Sequence, residues 1–144
     1  MRPARRPRYI LEIFGGCCCL SGALIQQSLR IAAPIELDHG QWHDVTQPAV
    51  QRVILRWLQM GDIWLVFLGT PCTRWSQARG GRAGAGDPAG LACAQFTLRV
   101  LRLCEEVKIH FTIENPVSSK LWTWPPLCRQ LRRMSTVTVR VDLC

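Results

Sequence analysis

The stretch "IWLVFLGTPCTRWS", residues 63–76, begins with six apolar residues and runs through a glycine and a proline into a cysteine. An unbroken apolar run of this length is typical of a strand in a parallel sheet, which is covered on both faces. Gly69 and Pro71 predict a turn at the end of the run. We therefore expect Cys72 to lie in a loop just beyond the carboxyl end of a buried strand.

The residues on either side of this run recur at strand or helix spacing. Strands are predicted over residues 9–14, 31–36, 63–68, 107–113 and 137–141. Helices are predicted between them, over residues 20–29, 50–58, 91–101 and 125–133. This order predicts an α/β fold with a mostly parallel sheet and helices on both faces. Ligands bind beyond the carboxyl ends of such strands, which is where Gly15, Gly16, Glu36, Cys72 and Glu114 fall.

The composition is typical of one globular domain, with 144 residues of which 48% are hydrophobic and 19% charged. We expect a basic tail over residues 1–8 and a single domain over residues 9–144. The net charge of +8 favours an anionic partner, and nucleic acid is the leading candidate. Arginine supplies almost all of this charge, so a coding preference for arginine in a GC-rich genome is the alternative explanation.

The eight cysteines contain no C-x-x-C pair, so no structural metal site is expected. Three of them are adjacent, and Cys93 and Cys104 lie in a helical pattern, where cysteine acts as a small apolar residue. A reducing, intracellular location fits this usage best, nuclear in a eukaryote and cytoplasmic in a bacterium or phage. The basic tail and the apolar residues 10–23 resemble a signal peptide, but Glu12 and Gly15-Gly16 interrupt that run, so we expect neither secretion nor a membrane span.

Three short motifs resemble those of a known family. "LEIFGG" (residues 11–16), "GTPCTRWS" (residues 69–76) and "IENP" (residues 113–116) are similar, in this order, to motifs I, IV and VI of the cytosine-C5 DNA methyltransferases. The resemblance covers residues 9–144. It implies a Rossmann-like core that binds S-adenosylmethionine and acts on DNA.

The resemblance also implies catalytic roles. Cys72 would add to C6 of cytosine as the covalent nucleophile, and Glu114 would contact the N3 edge of the base and assist its protonation. Pro71 and Asn115 would shape the two loops, and residues 80–90 resemble the mobile loop that closes over a flipped base. Structural alternatives are a buried apolar role for Cys72 and a helix-capping role for Glu114.

The binding residues follow in the same way. Phe14, Gly15 and Gly16 would approach the methionine part of the cofactor, and Glu36 would accept hydrogen bonds from the ribose hydroxyls. Asp44 would contact the adenine amino group, unless it is an acid at the start of the next helix. The positive charge that follows the cysteine favours the thiolate form, and the residues expected to supply it and to contact DNA are Arg74, Arg79 and Arg82.

The sequence also departs from the family. Cys18 stands where motif I usually has a second glycine, and Pro116 stands where motif VI usually has valine. The later arginine motif, the target-recognition region and the last cofactor-binding helix do not occur before Cys144, so we expect a fold that is incomplete at the C-terminus, as in short phage-type relatives. Two functions stay open: a DNA cytosine methyltransferase, or an inactive remnant that binds cofactor or nucleic acid. Methylation of RNA is a weaker third option.

Overall fold

A computed structural model describes residues 8–76 and 87–141 and contains a parallel sheet flanked by helices. Its three strands, in the sheet order β1-β2-β3, are β1 (Tyr9–Ile13), β2 (Ile63–Leu68) and β3 (His110–Ile113). The helices are α1 (Cys19–Gln26), α2 (Pro48–Gln59), α3 (Pro88–Val107) and α4 (Pro125–Arg133). The prediction of an α/β fold with parallel strands is therefore confirmed.

Several predicted boundaries are confirmed and others shift. β2 and α4 have their predicted bounds. Helix α3 is longer than expected at both ends. Its N-terminal end begins earlier because Asp87 caps the helix and Pro88 begins its first turn. Residues 88–90 therefore belong to a helix rather than to the predicted loop. Val107 ends the helix instead of opening a strand, since Lys108 turns left-handed with φ 61°. The rest of the predicted loop and the tail residues 1–7 lie outside the described residues.

The predicted strand over residues 31–36 is wrong, and Pro34 gives the reason. This segment makes only two isolated parallel bridges to β1, Ile10 to Ile31 and Ile13 to Ile35. Ala32 N donates to Ile10 O at 2.8 Å, and the next donor in a regular ladder would be residue 34. Proline has no N–H, so Ile35 N donates to Glu12 O instead, at 2.9 Å, and the register slips by one residue.

The predicted strand over residues 137–141 is also wrong. The alternation of Val137, Val139 and Val141 fits a strand, but these side chains are 87%, 73% and 66% exposed and the segment joins no sheet. Alternation predicts which face of a strand is apolar, whereas a strand also needs a hydrogen-bonding neighbour. Within the described residues the sheet therefore has three strands rather than five, and residues of β3 and of this segment help to line a groove of about 1430 Å³.

Alternation along β1 places helices on both faces of the sheet. Leu11 and Ile13 are fully buried and share one core with residues of α2 and α3, such as Ile54 and Leu101. Glu12 points to the opposite face, where Ser21 of α1 donates to its carboxylate through the backbone N–H at 3.1 Å and through the hydroxyl. The expectation of helices on both faces is thus confirmed.

Candidate functional site

The loops that follow the three strands meet at the carboxyl edge of the sheet. Gly69 N, just after β2, donates to Ile13 O at the end of β1 at 3.0 Å. Glu114 N, just after β3, donates to Leu68 O at the end of β2 at 2.9 Å. Because the strands are parallel and in register, the motifs that follow them are brought to one edge.

Gly69 allows the first two loops to approach each other closely. A Cβ at this position would lie 2.7 Å from the carbonyl oxygen of Phe14, which is backbone and cannot move away as a flexible side chain could. Any other residue would therefore push the loop after β2 away from the loop after β1. A glycine is therefore needed at position 69 for close packing of the two loops as well as for the turn.

Asn115 joins the second and third loops. Its side-chain Nδ2 donates to Thr70 O at 2.5 Å, and both residues are buried, with 9% and 2% exposed. The Thr70 hydroxyl in turn lies 2.8 Å from that of Thr97 on α3, which is 1% exposed. A continuous chain of buried hydrogen bonds therefore links β3, β2 and α3 at this edge, and breaking it would leave buried polar groups unpaired.

The two predicted catalytic residues lie beside this buried link. Cys72 is two residues beyond Thr70 and half-buried, and it precedes a 3-10 turn, Thr73–Trp75, in which Trp75 N donates to Cys72 O at 2.8 Å. Pro71 is half-buried, and Glu114 directly precedes Asn115 and is exposed. The structure therefore places the loops of Cys72 and Glu114 at the same edge of the sheet.

Arg74 holds the loop after β2 against the start of α3. Its Nη1 donates to the carbonyl oxygen of Asp87, the residue that caps α3, and its guanidinium carbon lies 5.7 Å from the Trp75 ring centroid. The Trp75 ring is buried and lies 5.5 Å from that of Trp124. Arg74 is therefore engaged with protein groups. The other two predicted arginines, Arg79 and Arg82, lie outside the described residues.

The turn after β1 contains two residues with a positive φ. Phe14 and Gly16 have φ of 63° and 55°, in the left-handed region. Gly16 N donates to the Oε2 of half-buried Glu36 at 2.7 Å. A Cβ at Gly15 would lie 3.0 Å from both Cys18 Sγ and the carboxyl carbon of Glu12, so these side chains would have to shift by a few tenths of an ångström to accommodate it. The structure thus brings Phe14, Gly16 and Glu36 together.

Glu12 is a site residue that sequence reasoning missed. It is 4% exposed, and its carboxylate binds the N–H and hydroxyl of Ser21, which ties the first turns of α1 to the strand below. Both residues flank the turn that contains Gly15 and Gly16, so Glu12 fixes the shape of that turn. A single acid inside an otherwise apolar strand was the sequence signal that could have identified it.

Asp44 makes hydrogen bonds within the turn before α2, and it does not lie in the first turn of that helix, where the alternative interpretation placed it. Its Oδ1 accepts hydrogen bonds from the Thr46 N–H at 2.9 Å and from the Thr46 hydroxyl at 2.6 Å, and its Oδ2 accepts from Gln47 Nε2 at 3.2 Å. These bonds, those from Thr46 foremost, hold the pKa of Asp44 below its ordinary value of 3.8. The carboxylate therefore shapes the turn that leads into α2, and it does so less well as the pH falls below that value.

Three buried polar atoms near the edge have no hydrogen-bond partner among the described residues: Arg74 Nε, Trp75 Nε1 and Asn115 Oδ1.

Within residues 8–76 and 87–141, no three His, Cys, Asp or Glu side chains form a group that could hold a metal ion. No helix in this part of the chain is long and apolar enough to cross a membrane.

No protein-family model matches the sequence, and no curated protein matches it. The resemblance to cytosine-C5 DNA methyltransferases therefore stays a prediction from the three sequence motifs.

Two other cysteines, Cys93 and Cys104, are more deeply buried than Cys72. Burial raises the pKa of Cys93 to about 11, with a smaller contribution from the negative charges of Asp44 and Asp87. Burial alone raises the pKa of Cys104 to about 12. Both thiols retain their protons more strongly in the folded chain than in the unfolded one, so they cost stability as the pH rises above the ordinary thiol value of 9.0.

We predict that iodoacetamide labels native Cys72 at pH 8 and leaves Cys93 and Cys104 unmodified. A pKa near 11 leaves only about one Cys93 thiol in a thousand ionised at that pH, and the thiolate is the reactive form. Peptide mass spectrometry measures the labelled fraction, and labelling in urea gives the reference for full access. Equal labelling of Cys104 and Cys72 in the native protein would contradict this assignment.

Proposed function

We propose that this chain is a DNA cytosine-C5 methyltransferase-like domain with a Rossmann-like core that uses S-adenosylmethionine. The observation that carries the proposal is the hydrogen bond from Asn115 Nδ2 to Thr70 O. It joins the loop that contains Cys72 to the loop that contains Glu114, as a reaction that needs both groups on one base requires.

The thiol and the carboxylate have complementary roles in this proposal. The Cys72 sulfur, as thiolate, forms a bond to C6 of an extruded cytosine, and Glu114 holds the proton that reaches N3. Half-burial of Cys72 and exposure of Glu114 leave both side chains accessible to a base from outside.

The turn after β1 supports the choice of cofactor. S-adenosylmethionine would supply a methyl group activated by its sulfonium. Gly16 presents backbone that a ligand can approach closely, and Glu36 is already fixed by the Gly16 N–H at 2.7 Å. A carboxylate accepts several hydrogen bonds at once, so Glu36 can bind the ribose hydroxyls while it holds the turn. Asp44 would reach the adenine amino group only in addition to its bonds to Thr46 and Gln47.

The charge of the chain supports DNA as the partner. The net charge of +8 attracts a polyanion, and Arg74, Arg79 and Arg82 follow the proposed nucleophile within ten positions. Arg74 supports the nucleophile loop through Asp87, so its contribution to DNA binding would be partly indirect. The activity would place the protein with DNA, in the nucleus of a eukaryote or the cytoplasm of a bacterium.

The proposal predicts a covalent complex with DNA that contains 5-fluorocytosine, in the presence of S-adenosylmethionine. Fluorine at C5 cannot leave as a proton does, so the bond from Cys72 to the base persists and survives denaturing electrophoresis. Cys72→Ser should abolish the complex, because a hydroxyl is a far weaker nucleophile than a thiolate. Glu114→Gln should reduce the rate of adduct formation by about 10²–10⁴-fold, the usual contribution of a general acid.

Cys128→Ser is the matched control. Cys128 is also half-buried, but it lies on α4 and its thiol donates to Trp122 O at 3.0 Å. This variant should form the complex at the wild-type rate. If the wild-type chain forms no complex over a range of DNA sequences and cofactor concentrations, the domain is a binding remnant and the proposed activity is wrong.

The cofactor assignment predicts that Glu36→Gln weakens the binding of S-adenosylmethionine by about tenfold or more. The change removes the charge that accepts hydrogen bonds from both Gly16 and the ribose, and bonds to a charged acceptor are worth about 1.5–3 kcal/mol. Isothermal titration calorimetry measures the affinity. Asp38→Asn is the control, since Asp38 is an exposed acid two residues away. Equal affinities of Glu36→Gln and wild type would remove Glu36 from the site.

A further inference from the structure

Two exposed sulfurs lie in contact just after the turn that follows β1. Cys17 Sγ and Cys19 Sγ are 2.9 Å apart in a sulfur–sulfur hydrogen bond, and both residues are exposed. The proposed function uses neither of them. Two thiols that already touch need little movement to form a bond, because a disulfide requires the sulfurs to come within about 2.05 Å.

The conformation of Cys18 produces this contact. Residues two apart do not face each other on a helix, and in a strand they lie more than about 6 Å apart. Cys18 has φ 53° and ψ 27°, which is left-handed, and it immediately precedes α1. This left-handed residue folds the chain back between its neighbours and brings the side chains of Cys17 and Cys19 together.

The surroundings of the two thiols give them different reactivities. Hydrogen bonds from the thiol and the backbone N–H of Cys19 lower the pKa of Cys17 from its ordinary value of 9.0. The same thiol contact, together with the charge on Cys17, raises the pKa of Cys19. A more acidic thiol beside a less acidic one is the arrangement of an attacking and a resolving cysteine.

Cys18 itself is set apart from this pair. Its sulfur lies 3.7 Å from Gly16 O and 4.0 Å from His39 Nε2, away from the contact between its neighbours. Burial and the charges of Glu12 and Glu36 raise its pKa. Cys18 therefore holds the backbone in shape and takes no part in the contact between the other two sulfurs.

We propose that Cys17 and Cys19 form a reversible C-x-C redox site that exchanges with small disulfides such as oxidised glutathione. The Cys17 thiolate attacks one sulfur of the small disulfide, forms a mixed disulfide and releases one glutathione thiolate. Cys19 then loses its proton to water, and its sulfur attacks Cys17 Sγ and displaces the second glutathione thiolate. Two protein thiols are oxidised to one disulfide, and one small disulfide is reduced to two thiols.

This site stands independently of the proposed function, because it requires only the two sulfurs and the left-handed residue between them. Its position makes it relevant to any ligand of the same edge. The backbone of Gly16, which binds Glu36, directly precedes Cys17, so a bridge between Cys17 and Cys19 would fix the backbone next to that contact.

The test treats the native full chain with oxidised glutathione, alkylates the remaining thiols with iodoacetamide and analyses the tryptic peptide of residues 9–30. In wild type this peptide should lose two hydrogens and carry one alkyl group, on Cys18. Cys18→Gly should form the same bridge, since glycine adopts the left-handed conformation freely. Cys17→Ser and Cys19→Ser should carry glutathione or alkyl groups but no bridge.

Cys18→Val keeps both sulfurs and disfavours the left-handed conformation, so its bridge should form about tenfold more slowly than that of Cys18→Gly. Circular dichroism checks that both Cys18 variants are folded. If Cys18→Val is unfolded, Cys17→Ser and Cys19→Ser decide whether the bridge joins residues 17 and 19. A bridge in Cys17→Ser as fast as in wild type, equal rates for Cys18→Gly and Cys18→Val, or wild type that gives only glutathione adducts would overturn the proposal.

Discussion

The hydrogen bond from the buried Asn115 side chain to the Thr70 carbonyl is the constraint on which the candidate site depends. Parallel pairing of β2 and β3 brings their carboxyl ends together, but the loops beyond could still diverge. Asn115 prevents this, because both partners are buried and neither can exchange its hydrogen bond for one with water. The Thr70–Thr97 contact extends the constraint to α3. The Pro71–Cys72 and Glu114–Asn115 motifs are thereby held at one edge of a small sheet.

The turn after β1 depends on similar local constraints. Glu12 lies inside a strand, yet its carboxylate accepts a hydrogen bond from the Ser21 N–H of α1. The Gly16 N–H donates to the carboxylate of Glu36, which ends the segment that bridges β1 on the edge away from β2. Gly69 allows the loop after β2 to pass within contact distance of Phe14. The approach of Gly69 to Phe14 joins the proposed cofactor turn to the proposed nucleophile loop. The cysteines after the turn add a second chemistry, which arises from the left-handed conformation at Cys18 rather than from the sheet.

The sequence pattern predicted the elements whose bounds are set by local signals. β2 is apolar throughout and α4 begins with two prolines, so their bounds could be read from the sequence. The segment 31–36 was misjudged because one missing N–H at Pro34 changes a hydrogen-bond ladder without changing the apolar pattern. Residues 137–141 were misjudged because no sequence pattern states whether a strand has a neighbour. The sequence likewise singled out Glu36 and Asn115, but not Glu12 or the bonds that Asp44 makes to Thr46 and Gln47.

The side-chain amide of Asn115 offers the most direct test of the central claim, through its hydrogen-exchange rate in the native protein measured by NMR. With Nδ2 buried and bound to Thr70 O, at least one of its protons should exchange about tenfold or more slowly than those of the exposed Gln59, as expected of a buried hydrogen bond. If both Asn115 amide protons exchange as fast as those of Gln59, the two loops are not joined and the account of the site fails.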